Sequence, residues 1–301
     1  TKRGGDKNKY DSFNITHYCG DSDNHITECR LELCKSLGIS DNKLLLPHQT
    51  HSTNIISVDK EFLLLSDEER QQKLYDVDVI VTNIKGVCIG VSTADCIPIL
   101  LSDTEKHIVV AIHAGWRGTV QHIVQKTIKY LKDNYYTNPQ NIKAVICPGI
   151  SEEALELGDE VYETFYNSGF DMNKISKRYN KWHINLKEAN RIELLNGGVN
   201  PENVQDCTIC TYTNFKDYFS ARRLGINSGR IFNGIMIKQK SYSLIKINKI
   251  LIDKKRVWFK PNSFLLHSIN KLYLLFCLNY LHSMKYCFLV FGNQFMQSFS
   301  Q

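Results

Sequence analysis

A cysteine and a histidine on two neighbouring apolar runs offer the clearest chemistry in this sequence. Cys96 ends the string TADC, and His113 opens the string HAGWRG. The runs Ile89–Leu101 and Ile108–Ala114 are rich in β-branched residues and are joined by a short polar turn, which is typical of a β-hairpin. If the turn centres between residues 104 and 105, Cys96 and His113 face each other. Directly opposed side chains have Cβ atoms about 4.5–5.5 Å apart, so this register predicts that the thiol and the imidazole can share a metal ion.

A third ligand is available upstream, at His48 or His51. Both lie in the string HQTHS (48–52), ahead of another β-rich run at 53–58. Two histidines and one cysteine give the three protein ligands expected of a catalytic zinc, which keeps its fourth position for water or substrate. A His₂Cys set is also found in blue-copper centres, and Cu²⁺ outcompetes Zn²⁺ at most such sites. The residues therefore predict a metal site made by Cys96, His113 and one of these two histidines, with zinc or copper as the ion.

Seven strings follow one another in the order found in one family: QTHS (49–52), TADCIPILL (93–101), AIHAGWRGT (111–119), CPGI (147–150), GDEV (158–161), LKEANRIELLNGGV (186–199) and YFSARR with a later GR (218–230). In these motifs the chain resembles the purine nucleoside phosphorylases of the laccase-domain type, formerly described as multicopper polyphenol oxidases. The resemblance runs from about residue 4 to residue 238. It implies a catalytic zinc on His51, Cys96 and His113. It also implies phosphorolysis of adenosine, inosine, guanosine and methylthioadenosine, with deamination of adenosine in the same pocket.

The segment after His113 offers a place for the phosphate that such a reaction needs. Gly115 to Gly118 stand at the start of a predicted helix, where backbone N–H groups and the helix dipole favour anions. Arg117 adds a guanidinium that can hold a phosphate through two hydrogen bonds. We predict that a second basic cluster downstream also binds substrate, and it consists of Arg222, Arg223 and Arg230.

Other functions are consistent with parts of this pattern. A copper-dependent polyphenol oxidase could use the same three ligands, but its trinuclear cluster is usually built from His-x-His pairs, and none of the ten histidines forms one. A metal-free cysteine hydrolase would use Cys96 as nucleophile and His113 as base, with no need for His51. A non-enzymatic interaction protein would leave the convergence of the three residues unexplained. The proton carrier is unassigned, because zinc nucleobase deaminases use a His-x-Glu motif that the chain lacks; His48 is a candidate.

Composition is typical of a globular protein and gives no sign of nucleic-acid or membrane partners. The chain is 43% apolar and 23% charged, as globular domains usually are. Its net charge of +6 arises in residues 238–301, which hold ten of the 37 Lys and Arg but one of the 31 Asp and Glu. The remaining residues carry −3, unlike the basic footprint of a nucleic-acid-binding domain. Ten irregularly spaced cysteines without a secretory signal predict a reducing, cytoplasmic location, and the pair Cys207 and Cys210 is interpreted as core thiols.

The irregular mix of predicted strands and helices indicates an α+β fold. The family resemblance implies a mixed β-sheet core flanked by helices. The family resemblance implies that this core is similar to the catalytic domain of cytotoxic-necrotising-factor toxins. Predicted helices lie at 21–37, 66–73, 119–131, with Thr119 as the N-cap, 152–166 and 186–195. Predicted strands lie at 43–58, 77–82, 87–101, 108–114 and 143–147.

The end of the chain differs from the rest in composition. Residues 238–301 contain no alanine, threonine or glutamate and are rich in Lys, Asn, Ile, Leu, Phe, Tyr and Ser. We predict a catalytic domain over residues 1–237 and a tail, 238–301, that is not part of it and packs little against it. Leu272–Phe291 is apolar, but it contains Lys285. A charge near the bilayer centre costs about 2.5–3.5 kcal/mol, so no membrane span is expected.

Overall fold

The computed structural model describes residues 1, 8–10 and 13–238, together with the backbone of a strand at 286–289. Helices and strands alternate irregularly along this part of the chain, and the predicted α+β fold is confirmed. The α-helices are α1 (Asp23–Leu37), α2 (Asp67–Leu74), α3 (Trp116–Val120), α4 (Ile123–Tyr135), α5 (Asp159–Asn167), α6 (Met172–Ile175), α7 (Leu186–Asn196) and α8 (Ala221–Leu224). The strands are β1 (Leu44–Leu45), β2 (Ile55–Val58), β3 (Val79–Thr82), β4 (Cys88–Thr93), β5 (Ile97–Asp103), β6 (Ile108–Ala114), β7 (Ile142–Ile146), β8 (Glu156–Leu157), β9 (Ser176–Arg178), β10 (Trp182–Ile184), β11 (Val204–Asp206), β12 (Ile231–Ile237) and β13 (Tyr286–Leu289).

Three sheets organise these strands. The largest has the order β11-β7-β5-β6-β3-β2 and combines antiparallel pairs with two parallel ones, β11–β7 and β2–β3. A four-stranded sheet has the order β1-β4-β12-β13, and a small sheet has the order β8-β10-β9. The two larger sheets are therefore mixed, as predicted. The likeness to cytotoxic-necrotising-factor toxins stays a prediction.

The two larger sheets lie face to face between layers of helix. Ile99 and Leu101 of β5 pack in one core with α4 and α7, whereas Leu100 packs in a second core against β4 and β12 of the other sheet. On the far side of that sheet, α1 packs against Cys88 and Phe232. Strands covered on both faces become continuous apolar runs, which explains why the strand signal in the sequence is so uniform.

The hairpin forms, but the register predicted for it is wrong. Pro98 of β5, and not Cys96, faces His113 of β6. The loop between the strands has four residues, 104–107, because Asp103 Oδ1 accepts hydrogen bonds from the N–H groups of residues 105 and 106 and His107 adopts a left-handed φ of 55°. The predicted strand 87–101 is also interrupted. It divides into β4 and β5 at Ala94–Cys96, where Asp95 has a φ of 89°.

Two predicted helices differ in their bounds. The helix expected to start at Thr119 begins earlier, at Trp116, with Gly115 as its N-cap, and it breaks into α3 and α4 where His122 adopts a φ of 60°. The region 152–166 is not one helix. It contains a 3-10 turn at Glu152–Ala154, the short strand β8 and then α5.

Beyond residue 238, the C-terminal tail is described only at 286–289, where the backbone of β13 pairs antiparallel with β12. Apart from this pairing, the expectation that the tail packs little against the domain stays a prediction. The rest of the tail, including most of the apolar stretch 272–291, lies outside the described residues, and the boundary at 237 stays a prediction. Within the described residues, no helix is both long and apolar enough to cross a membrane.

Candidate active site

The three sequence-predicted metal ligands lie together. Their ligand atoms are all within 4.8 Å of one another, and the two imidazole centroids are 4.9 Å apart. His51 comes from the loop between β1 and β2, Cys96 from the linker between β4 and β5, and His113 from β6. Cys96 Sγ lies 3.6 Å from His51 Nε2. The cluster therefore forms although the register predicted for the hairpin is wrong, because the linker turns the Cys96 thiol towards the end of β6.

A buried aspartate behind the cluster organises two of the three ligands. Asp78 is fully buried just before β3, and its Oδ1 lies 2.6 Å from Nδ1 of His113. The same carboxylate accepts hydrogen bonds from the backbone N–H groups of Thr50, His51 and Ser52 and from the Ser52 hydroxyl. Since the carboxylate of Asp78 accepts a hydrogen bond from Nδ1–H, His113 presents Nε2 to the cluster.

Asp78 was not among the site residues predicted from the sequence. The available signal was a single acid in the apolar string VDVIV (77–81), where an ionised side chain needs a partner if it is buried. Nothing in the sequence says which partner that is.

The backbone at the site is held in uncommon conformations. His51 has a φ of 68° and Asp95 a φ of 89°, both in the left-handed region that non-glycine residues rarely adopt. The Asp95 side chain is held by Thr211 Oγ1 at 2.7 Å and by the backbone N–H of Arg222 at 2.8 Å. Through these contacts the linker that carries Cys96 is bonded both to Thr211, which precedes α8, and to Arg222, which lies in α8.

Gly115 leaves the space that the ligands occupy. A Cβ atom at this position would lie 2.6 Å from Cδ2 of His51 and 3.1 Å from Sγ of Cys96. Contacts that short force the neighbouring atoms to move. At Gly118, three residues further on, the nearest atoms would be 3.4 Å or more away. The first glycine of HAGWRG is therefore required by the packing of the ligands.

The charges of the cluster are coupled. Burial on its own would raise the pKa of the Cys96 thiol, but the charge of His113 and hydrogen bonds from both histidines lower that pKa to about 6. Burial would lower the pKa of His113, whereas the charge of Cys96 and the hydrogen bond to Asp78 raise it to about 9. Hydrogen bonds from His113 and Ser52 outweigh burial and lower the pKa of Asp78. Near neutral pH the site therefore contains a thiolate beside an imidazolium.

The residues of the cluster fit a metal ion. One thiolate and two imidazole nitrogens form the donor set of a three-ligand zinc or copper site. His51 and Cys96 are partly exposed, whereas His113 is buried, so the side of the cluster that they form is open to solvent. The hydrogen bond between His113 and Asp78 is the outer-shell contact that metal-ligating histidines usually make.

The predicted substrate-binding arginines lie in different settings. Arg117 is exposed on α3, with its guanidinium 4.4 Å from the centroid of the Trp116 ring. Arg222 is exposed, and its backbone N–H is bonded to Asp95. Arg223 lies over the rings of Tyr212 and Phe215, whereas the Arg230 guanidinium donates to backbone carbonyls of its own loop, at residues 226, 228 and 229. Of the four guanidinium groups, those of Arg117 and Arg222 therefore make the fewest contacts with the rest of the described structure.

His48 lies outside the ligand cluster. Its ring stacks on Tyr18 at 4.3 Å and meets the edge of Tyr75 at 5.0 Å. Cys207 and Cys210 are buried free thiols, in agreement with their interpretation as core residues.

Comparison with known proteins places this geometry in a family. The family model described as "Multi-copper polyphenol oxidoreductase laccase" matches residues 1–238. The chain belongs to this family. It is 42% identical over 241 residues to a purine nucleoside phosphorylase of Bacteroides thetaiotaomicron, a match that covers 79% of this chain and 89% of the relative. It is 41% identical over 238 residues to adenosine deaminase RL5 of an unknown prokaryotic organism, covering 77% and 89%.

Among solved structures of this family's fold, the chain is similar to YlmD from Geobacillus stearothermophilus. The TM-score is 0.73 at 25% sequence identity, and the match covers 79% of this chain and 90% of the other. The family that the motifs indicated in the sequence is thus confirmed.

Proposed function

We propose that the protein is a zinc-dependent purine nucleoside phosphorylase acting on adenosine, inosine and guanosine, with methylthioadenosine as a further candidate substrate. The observation that carries this proposal is the preformed cluster of His51, Cys96 and His113, with its open side and its buried Asp78. It is supported by a relative named purine nucleoside phosphorylase that is 42% identical over 241 residues.

In this reaction a phosphate oxygen bonds to the anomeric carbon of the ribose while the bond to the purine nitrogen breaks. The purine leaves with the bonding electrons and takes up a proton, and ribose 1-phosphate is the co-product. When bound, zinc would supply Lewis-acid polarisation of a substrate oxygen or nitrogen. It would be held by Nε2 of His113, which Asp78 orients, by Cys96 Sγ and by His51.

The segment from Gly115 to Gly118 is proposed to position the phosphate. Because Arg117 is exposed and follows His113 by four residues, its guanidinium is proposed as a contact to the phosphate dianion. Arg222 is proposed as a second contact, because Asp95 binds its backbone N–H and precedes the ligand Cys96. Arg223 and Arg230 are weaker candidates, since aromatic rings and backbone carbonyls already engage their guanidinium groups.

The test is the release of purine from adenosine with and without phosphate, followed by chromatography. Phosphate-dependent formation of adenine and ribose 1-phosphate supports the proposal, and no adenine in the presence of phosphate contradicts it. Arg117→Ala should raise the KM for phosphate by about 10- to 100-fold, because a hydrogen bond to a charged group contributes about 1.5–3 kcal/mol. The KM for the nucleoside should change much less, and a loss shared equally by both substrates would argue against a phosphate role.

Adenosine deamination is a second candidate activity, favoured by the 41% identity to a relative named adenosine deaminase. It would release ammonia and inosine without phosphate. The same chromatograms, with phosphate omitted, measure it directly.

Two alternative functions give different results in these assays. A copper-dependent polyphenol oxidase would consume oxygen with phenols and ignore phosphate. Within the described part of the chain, one group of three His, Cys, Asp or Glu side chains could hold a metal ion, fewer than a four-copper enzyme needs. A metal-free cysteine hydrolase using Cys96 and His113 would tolerate chelators and the loss of His51. A cytoplasmic location and the absence of nucleic-acid partners also belong to the proposal.

A further inference from the structure

A second thiol–imidazole–carboxylate group lies at the start of α1, in the outer layer of the molecule. Asp21 lies just before the N-cap Ser22, whereas His25 and Cys29, four residues apart, share one face of the helix. His25 Nδ1 lies 2.7 Å from Asp21 Oδ2, and His25 Nε2 lies 3.5 Å from Cys29 Sγ. None of the three belongs to the metal cluster.

The contacts of Asp21 set the orientation of the imidazole. Its carboxylate also accepts hydrogen bonds from Asn14 Nδ2 at 2.9 Å and from the backbone N–H of Ser22 at 2.8 Å. A carboxylate bonded in this way can only accept from the ring, so Nδ1 of His25 carries the proton. Nε2 then turns its lone pair to the thiol of Cys29. A nucleophile within reach of a base, and a base oriented by a third group, is the general arrangement of an activated thiol.

Cys34, one turn further along α1, is an internal reference. Cys29 and Cys34 are both 4% exposed, and burial raises the pKa of both thiols. The groups that contact the two sulfur atoms differ. At Cys29 a hydrogen bond from the backbone N–H of Asn14 opposes the rise in pKa and three nearby carboxylates add to it, whereas at Cys34 the carboxylate of Asp41 adds to the rise and the charge of Arg30 opposes it. The Cys29 thiol contacts the imidazole of His25, whereas the Cys34 thiol lies 3.9 Å from the carboxylate of Asp41.

We propose that Cys29 is a site of reversible oxidation by small hydroperoxides, with His25 as the base and Asp21 as the group that orients it. His25 Nε2 takes the thiol proton, and Cys29 Sγ attacks one peroxide oxygen. The S–O bond forms as the O–O bond breaks, and the leaving hydroxide takes the proton from His25 and departs as water. The sulfur is oxidised by two electrons to a sulfenic acid while the peroxide is reduced. A sulfenic acid is restored by thiols.

Burial decides which oxidants can react. The Cys29 thiol is nearly covered, while the His25 side chain is 30% exposed at the surface above it. Only a molecule as small as hydrogen peroxide can approach a thiol covered to this extent, so bulky reagents are not expected to react. The site is independent of the proposed nucleoside chemistry.

The test exposes the purified full-length protein to hydrogen peroxide for a series of short times. Each reaction is stopped with catalase and unfolded in denaturant containing dimedone, which labels sulfenic acids at buried and exposed positions alike. Mass spectrometry of tryptic peptides quantifies each cysteine. Cleavage after Arg30 separates Cys29 from Cys34, and fragmentation separates Cys29 from Cys19, which shares its peptide.

Cys29 should be labelled at least about tenfold faster than Cys34, since a positioned general base typically contributes about 100-fold or more. His25→Asn should bring the two rates within about threefold of each other, and Asp21→Asn should give an intermediate rate. Thermal unfolding checks that the variants are folded. Equal rates at Cys29 and Cys34 in the unmodified protein, absence of labelling at Cys29, or an unchanged rate in a folded His25→Asn variant would overturn the proposal. If that variant does not fold, Asp21→Asn and the ratio in the unmodified protein decide the question.

Discussion

The molecule places an imidazole between a carboxylate and a thiol in two regions, and the two regions differ in their charge state. His113 lies between Asp78 and Cys96, and His25 lies between Asp21 and Cys29, with imidazole–carboxylate distances of 2.6 Å and 2.7 Å. The pKa of Cys96 is nevertheless lowered to about 6, whereas burial raises that of Cys29.

The difference comes from the groups around the thiol. Cys96 has a second imidazole, that of His51, at 3.6 Å, and its histidine partner is buried with a carboxylate that is itself fully buried. A charge interaction is stronger where water is excluded. Next to Cys29 the imidazole of His25 is partly in water, and the carboxylates of Glu32, Asp21 and Glu28 raise the pKa of the thiol further. A shared arrangement of three side chains therefore does not fix a shared function; the charges around each thiol and their burial account for the lowered pKa of Cys96 and the raised pKa of Cys29.

The largest expected effect is on the thiols themselves. Cys96→Ala should remove the one anionic ligand of the cluster and nearly abolish nucleoside cleavage, a loss greater than the roughly 10- to 100-fold typical of an outer-shell change. Cys29→Ala should change turnover by less than about twofold, because α1 lies in a layer away from the cluster. Metal analysis and turnover of both variants test the contrast. Similar losses of turnover in the two variants would contradict the proposed difference between the two thiols.

The second expected effect concerns the pH dependence of thiol reactivity. In metal-stripped protein, iodoacetamide should alkylate Cys96 with a midpoint near pH 6, because the thiolate is the reactive form. The sign follows from the lowered pKa, so reactivity is lost as pH falls through this value. His113→Ala should move the midpoint upward, because the imidazolium charge is lost. A midpoint near 9 in the unmodified protein, or no change in the variant, would contradict the assigned thiolate–imidazolium pair.

The carboxylates behind the two histidines should also differ in importance. Asp78→Asn should lower metal affinity or activity by about 10- to 100-fold, because an amide cannot accept from His113, His51 and Ser52 at once. Asp21→Asn is the matched control and should leave both quantities unchanged. Metal titration by competition with a chelator measures the first quantity. An Asp78→Asn variant with unchanged affinity would show that the aspartate is not needed for ligand orientation.

The smallest expected effect is steric. Gly115→Ala should lower metal affinity by about tenfold, at the low end of the 10- to 100-fold effect of outer-shell changes at metal sites. The reason is that the added Cβ would lie 2.6 Å from the His51 ring and displace it. Gly118→Ala, where the nearest atom would be 3.4 Å away, should keep the affinity. The same chelator competition compares them. If Gly118→Ala is as damaging as Gly115→Ala, the effect belongs to α3 and not to the ligands.

Much of the fold and the membership of the three-residue cluster was predictable from local patterns and motifs. The apolar period and Gly38 predicted α1 and its end, and in the structure Gly38 adopts a left-handed φ of 67° directly after the helix. Strand β6 has the predicted bounds. His51, Cys96 and His113 were found from residue type and motif. These features depend on short stretches of chain, which a sequence displays directly.

The features that were missed depend on contacts between distant stretches. Asp95 adopts a left-handed conformation inside an apolar run because its carboxylate is bonded to Thr211 and to Arg222, more than a hundred residues away. Asp78 accepts a hydrogen bond from His113, which lies 35 residues later in the chain on the neighbouring strand. Neither partner follows from periodicity. The register of the hairpin was missed for a local reason, since the Asp103 side chain supports a four-residue loop that the polar composition alone did not reveal.

The state of His113 has a consequence for how the site takes up an ion. With its pKa near 9 and that of Cys96 near 6, the pair holds one proton at neutral pH, and that proton is on the imidazole. A cation entering the cluster must displace it from Nε2, so each ion bound is exchanged for one proton. Between pH 6 and 9, affinity should therefore rise about tenfold for each pH unit. Protons and metal ions thus compete for Nε2 of His113. The fraction of sites that hold a metal ion therefore depends on the ratio of metal-ion concentration to proton concentration.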